Sequence, residues 1–82
     1  MDVVADSAPS SNEVTDYDKE HLGLYLRLLD AKTAGASMDD MARIVLKLDP
    51  AREAARARAT AASHLERAEW MTRQGYRLLL GD

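Results

Sequence analysis

The chain has 82 residues, of which 46% are hydrophobic and 30% charged, with no cysteine and a formal net charge of −3. That length holds one domain with a small core, worth on the order of 3–5 kcal/mol, and the lack of cysteine excludes disulfides, thiolate metal sites and a cysteine nucleophile. No apolar run approaches the roughly 18 residues of a membrane span, and the start Met1-Asp2-Val3-Val4 lacks the basic and long apolar parts of a signal peptide, so a cytoplasmic protein without membrane contact is expected.

The charge is unevenly placed. Residues 1–20 carry six acids against one lysine, and residues 21–82 carry eight acids against ten Lys and Arg. The acidity belongs to the N-terminus, and the remainder is only weakly basic. A strong nucleic-acid binder usually presents a clearly basic domain. Residues 1–14 show no hydrophobic period and are predicted to be a disordered acidic tail, followed by one domain over 15–82.

The first helix is expected to begin at Asp16. Thr15 and Asp18 have capping-box spacing, and acids at 16, 18 and 20 suit the positive end of a helix dipole. Leu22, Tyr25, Leu26 and Leu29 draw one apolar stripe, with Leu24 and Leu28 off it. Gly35 is placed to end this helix in a left-handed conformation. Ser37 then caps a second helix, with Asp40 three residues on. Its inner face is Met38, Met41, Ala42 and Val45, with Asp39 and Arg43 as an i, i+4 pair. It should stop by Leu48, because Asp49-Pro50 resets the chain.

Residues 51–62 contain seven alanines with Arg52, Arg56 and Arg58. High helix propensity predicts helix there, although a long, partly helical turn with a break near Thr60 fits as well. Ala61, Leu65, Ala68 and Met71 form another stripe, ended by Gln74-Gly75, with Tyr76, Leu79 and Leu80 folding back as a short closing helix. The expected fold is all-α: a compact helix-turn-helix variant of four to five helices behind the tail.

Catalytic chemistry is hard to find in this pattern. His21 and His64 have no ligand spacing around them and are expected to be surface or structural, so no metal is predicted. Asp39 and Asp40 point to different faces of a helix, and Glu66 and Glu69 have the spacing of solvated surface acids. No phosphate loop or nucleophile triad is legible, and so small a chain offers little depth for a substrate pocket. The reading is of a non-enzyme without a cofactor.

Periodicity alone does not separate a generic helical bundle from a helix-turn-helix domain. Leu28-Leu29-Asp30-Ala31-Lys32-Thr33-Ala34-Gly35-Ala36-Ser37, followed by Met41-Ala42 and Leu46, resembles the start of DUF2285, a proteobacterial domain family. The ending Gly75-Tyr76-Arg77-Leu78-Leu79 looks like that family's C-terminal signature. The resemblance covers about residues 20–80. It implies a helix-turn-helix variant with an extended turn, found in transcriptional activators of integrative and conjugative elements and in short stand-alone antiactivators. Carried onto this chain, the first helix of the pair is Met38 to Lys47, the extended turn roughly Leu48 to Thr60, and the recognition helix about Ala61 to Arg73.

On that alignment the recognition helix opens Ala61-Ala62-Ser63-His64 and then Glu66, where DNA-binding members carry arginines. A helix entering the major groove needs donors for base edges and cations for phosphates. The expectation is therefore an antiactivator, a monomer that occupies the interdomain docking site of a transcriptional activator of a conjugative element and does not grip DNA. Candidate partner-binding residues are Leu24, Leu28, Ile44, Leu48 and Trp70, with Asp39, Asp40, Glu66 and Glu69 as an acidic rim; Trp70 could equally complete the core. The alternative is a DNA-binding regulator using Arg56, Arg58, Arg67 and Arg73. A third possibility is a structural subunit self-associating through Leu24, Leu28 and Trp70.

Overall fold

The computed structural model describes residues 4–49 and 51–75. Among them are four α-helices and no strand: α1 (Asp16–Glu20), α2 (Leu22–Thr33), α3 (Met38–Asp40), which continues as a π-helical turn over Met41–Val45, and α4 (Ala54–Trp70), which continues as a second π-helical turn over Met71–Gly75. The expected all-α architecture is what forms. Pro50 and the closing segment with Tyr76, Leu79 and Leu80 lie outside the described residues.

The caps follow the sequence. Thr15 Oγ1 accepts from the Asp18 N–H at 3.2 Å, and the Asp18 carboxylate accepts from the Thr15 N–H at 2.9 Å. Ser37 and Asp40 repeat the same reciprocal pair at the start of α3. Gly35 ends α2 with φ of +87°. Its N–H reaches the Lys32 carbonyl and the Ala36 N–H the Ala31 carbonyl, each at 2.9 Å, which satisfies the last carbonyls of the helix.

Three element boundaries differ from the sequence reading. The single helix expected from Asp16 to Gly35 is broken at His21, whose φ of −115° and ψ of 19° are not helical. The His21 ring stacks on Tyr17, with centroids 4.0 Å apart, and its Nδ1 bonds the Tyr17 carbonyl. This bend brings Asp18 of α1 to the Tyr25 hydroxyl of α2, 2.7 Å apart. The second helix stops two residues early, since Lys47 takes a φ of 59° and the Leu48 N–H returns to the Ala42 carbonyl at 2.8 Å. Finally, α4 runs without a break through Thr60, because a run of strong helix formers outweighs one β-branched residue.

The core is mainly α2 against α4 with the α3 segment closing one side. Leu24, Leu28, Met41, Ala42, Val45, Leu46, Ala57, Ala61 and Leu65 form one apolar cluster, and Tyr25, Ala68 and Met71 a second. Alanines at 42, 57, 61 and 68 let the helices approach closely. Leu24 and Leu28, expected to be surface residues, are 6% and 0% exposed. Leu26, placed on the inner stripe by periodicity, is 63% exposed. Apolar residues occupy so much of the α2 circumference that its own pattern does not define an inside; the positions of α3 and α4 do.

Residues 4–14 have neither helix nor strand, yet they lie against the helices. The Ala5 N–H donates to the Tyr17 hydroxyl, the Ala8 N–H to Ser63 Oγ, and the Arg67 guanidinium to the carbonyls of Ser11 and Glu13. Absent periodicity speaks to secondary structure and says nothing of such contacts.

Candidate nucleic-acid interface

The position of the α4 N-terminus changes the chemistry of the site. The helix starts at Ala54, inside the Ala-rich stretch where propensity predicts helix and seven residues before the resemblance placed the recognition helix. The residues that open this helix are then Ala54-Ala55-Arg56-Ala57-Arg58, not Ala61-Ala62-Ser63-His64. Arg56 and Arg58 therefore lie in the first turn and a half of the helix.

Cations recur along the chain from residue 43 to residue 58. Arg43, Lys47, Arg52, Arg56 and Arg58 are all exposed, and the only acids in the same stretch are Asp49 and Glu53. The outward stripe of α4 between them is Ala55, Ala59 and Ala62, each exposed and small. Glu53 is the N-cap but makes no side-chain bond to the helix end. The first backbone N–H groups of a 17-residue helix are therefore unmet by a side-chain cap, at the positive end of its dipole.

The two arginines of α4 are held by carboxylates from elsewhere. Arg58 donates Nε and Nη2 to the two oxygens of Asp39 at 2.7 and 3.1 Å. Arg56 donates Nε and Nη2 to Asp6 at 2.9 and 2.7 Å and Nη1 to Glu53 at 2.9 Å. These side chains are all well exposed. Asp39 has its pKa lowered, chiefly by the hydrogen bond from Arg58. Exposed pairs of this kind contribute little and exchange readily, so either guanidinium can turn to a phosphate.

Arg67 and Arg73, the other two arginines grouped with them from the sequence, do not join this surface. Arg67 is 4% exposed. It donates Nε and Nη2 to the Asp18 carboxylate at 3.0 and 2.7 Å, reaches the Ser11 and Glu13 carbonyls, and lies 3.8 Å from the Trp70 ring centroid. Burial alone would raise the Asp18 pKa, but hydrogen bonds from Arg67, the Thr15 N–H and the Tyr25 hydroxyl outweigh it and hold the carboxylate well below the usual range. Burial, then the bond to Asp18, pushes the Tyr25 phenol far above its ordinary value. Arg73 is exposed but sits roughly 25 Å along the axis from Arg56, at 1.5 Å per residue.

The candidates for protein docking scatter. Leu24 and Leu28 are core, and Leu48 is half-buried against it. Trp70 packs beside Tyr25, Ala68 and Met71 and carries the Arg67 guanidinium. Asp39 holds Arg58, Asp40 caps α3 and pairs with Arg43, and Glu69 pairs with Lys32; the expected Asp39–Arg43 pair does not form. Ile44, 55% exposed, and Glu66 remain on the surface, on different elements, so these candidates do not together form one face. The two histidines meet around Tyr17: His64 Nε2 is 2.6 Å from the Tyr17 hydroxyl and its Nδ1 2.8 Å from the Thr60 carbonyl.

Residues 2–81 match the protein family described as "T6SS, Transcription factor, DNA binding domain" (RovC_DNA-bd). The chain belongs to this family. No curated protein matches it. The RovC_DNA-bd match corrects the assignment to DUF2285 and removes support for an antiactivator of conjugative-element transfer. That assignment had led to a partner reading whose main physical premise was a recognition helix without early arginines, and the observed start of α4 withdraws it. RovC_DNA-bd is a family of DNA-binding domains, not of enzymes. Among the described residues, no helix is long and apolar enough to cross a membrane. Sequence reasoning noted Arg52 beside Arg56 and Arg58 but passed over the exposed Arg43 and Lys47.

Proposed function

We propose that the chain is the DNA-binding module of a transcription regulator and grips duplex DNA with the N-terminal half of α4 and the turn before it. The observation that carries the reading is the start of α4 at Ala54, which puts Arg56 and Arg58 in the first turn and a half of a helix whose N-terminus has no side-chain cap. Lys47, Arg52, Arg56 and Arg58 supply phosphate contacts, and the helix end adds backbone donors. Ala55, Ala59 and Ala62 present a low surface that lets the helix backbone approach base edges and meet thymine methyl groups. Glu66, on the same outward side one turn beyond Ala62, opposes phosphate and limits the contact to the first half of the helix. Specificity in this arrangement comes from guanidinium donors to guanine as well as from apolar contact.

Anisotropy of a labelled duplex, titrated between about 50 and 200 mM salt, tests this. Binding should weaken steeply with salt. The variant R52A/R58A should lose roughly tenfold in affinity and lower the salt slope by about two, one per phosphate contact. Circular dichroism should show the same fold, since both side chains are exposed. Unchanged affinity in the double variant, or no duplex binding at low salt, would overturn the reading.

A further inference from the structure

The acidic N-terminal segment lies on the flank of the helix that carries the proposed DNA contact. Asp6 accepts two hydrogen bonds from Arg56, and about two turns further along α4 the Ala8 N–H donates to Ser63 Oγ at 2.6 Å. Between this stretch and the helix is an open cleft of about 360 Å³, with Ser63, Glu66, Arg67 and Trp70 on the α4 side and Ser7 to Ser10 on the other. The hold on the segment is graded. Its root is fixed by backbone bonds, from Arg67 to the Ser11 and Glu13 carbonyls, and Arg67 is itself buried on Asp18. Its tip is held by the Asp6–Arg56 pair, whose side chains are 70% and 51% exposed.

We infer that this segment is an intramolecular competitor for DNA, with the Asp6 carboxylate occupying the guanidinium that a phosphate would take. The inference rests on the DNA-binding reading. A carboxylate and a phosphate both match the planar donor fork of arginine, so Arg56 serves one at a time through Nε and Nη2. The buried root keeps the segment beside α4, at high effective concentration. The exposed tip lets a correctly placed phosphate displace it. Residues 1–20 carry six acids against one lysine, so the displaced segment also repels a backbone that lies too close to that flank. The result is a domain that releases non-specific DNA easily and holds a site where Arg56 gains a full contact.

The test compares full-length wild type with D6N and with E20Q, which makes the same charge change at an exposed position in α1. Each is titrated into a labelled duplex across the same salt range. D6N should bind about threefold tighter than both wild type and E20Q at low salt, with a salt slope steeper by about one as Arg56 takes up a phosphate. Equal affinities for D6N and E20Q, with wild type binding DNA, would overturn the competition and leave the DNA-binding reading standing. Absence of duplex binding in all three would overturn both.

Discussion

Arg67 uses four of its five N–H donors on Asp18, Ser11 and Glu13 and stacks on Trp70. One side chain therefore joins α4, α1 and the N-terminal segment, and its burial keeps the one remaining donor from a phosphate. Removing one partner of a buried ion pair leaves an uncompensated charge and costs about 3–5 kcal/mol, as much as a domain of this size has to lose. Arg67→Ala should be largely unfolded at room temperature by circular dichroism, whereas Arg58→Ala, whose pair is exposed, should keep its melting temperature within a few degrees. Comparable melting curves for the two would show that the buried pair holds nothing together. From the sequence, both arginines were candidates for DNA. No local cue separates them, because the Asp18 partner of Arg67 lies 49 residues away.

At the scale of elements, the ends of the helices decide the site. Lys47 ends the α3 segment in the left-handed region, at φ of 59°, a conformation that costs an L side chain roughly 1–2 kcal/mol and glycine much less. Lys47→Gly should therefore stabilise the fold by about 0.5–1 kcal/mol in urea unfolding, once glycine's larger chain entropy is allowed for. The same variant should weaken duplex binding and reduce the salt slope by about one. Unchanged binding would show that Lys47 contacts no phosphate, and lower stability would show that its left-handed backbone carries no strain that glycine relieves. The helix starts at Thr15 and Ser37 and the stop at Gly35 were legible because each is made within a few residues. The start of α4 was not. Ala51 to Ala62 is uniformly favourable to helix, so propensity marks no boundary in it, and the turn is set by how Leu46 and Leu48 anchor the chain against the core.

Across the whole molecule, two polar linkages run through the packing beside the apolar clusters. One is Asp18 with Arg67 and Tyr25; the other is Thr60, His64, Tyr17 and Ala5. In the second, neutral His64 donates Nδ1–H to Thr60 and accepts the Tyr17 hydroxyl proton at Nε2, while that hydroxyl oxygen accepts from the Ala5 N–H. Burial lowers the His64 pKa below its ordinary 6.5, with His21 adding to the effect and the Thr60 bond opposing it. The unfolded chain therefore takes up a proton before the folded one does as pH falls below 6.5, and stability declines from there. Asp18, also depressed in the folded state, adds a second loss below its ordinary 3.8. Melting temperature should fall in two stages, and His64→Gln should remove the upper stage alone. A flat melting temperature between pH 7 and about 5 would count against a buried neutral imidazole.

The sequence by itself determined the helical class, the caps at Thr15 and Ser37, the stop at Gly35 and the inner face of Met41, Ala42 and Val45. Each depends on residues within a turn or two of one another, where spacing along the chain is spacing in the molecule. Only the tertiary structure decided that Leu28 is buried and Leu26 exposed, that Arg67 is a structural hub and Arg56 a surface residue, and that the arginines of the Ala-rich stretch lie at the start of α4. Those outcomes depend on which helix lies against which face, and contacts such as Asp6–Arg56 and Asp18–Arg67 join residues about 50 apart, a distance at which no local pattern carries a signal.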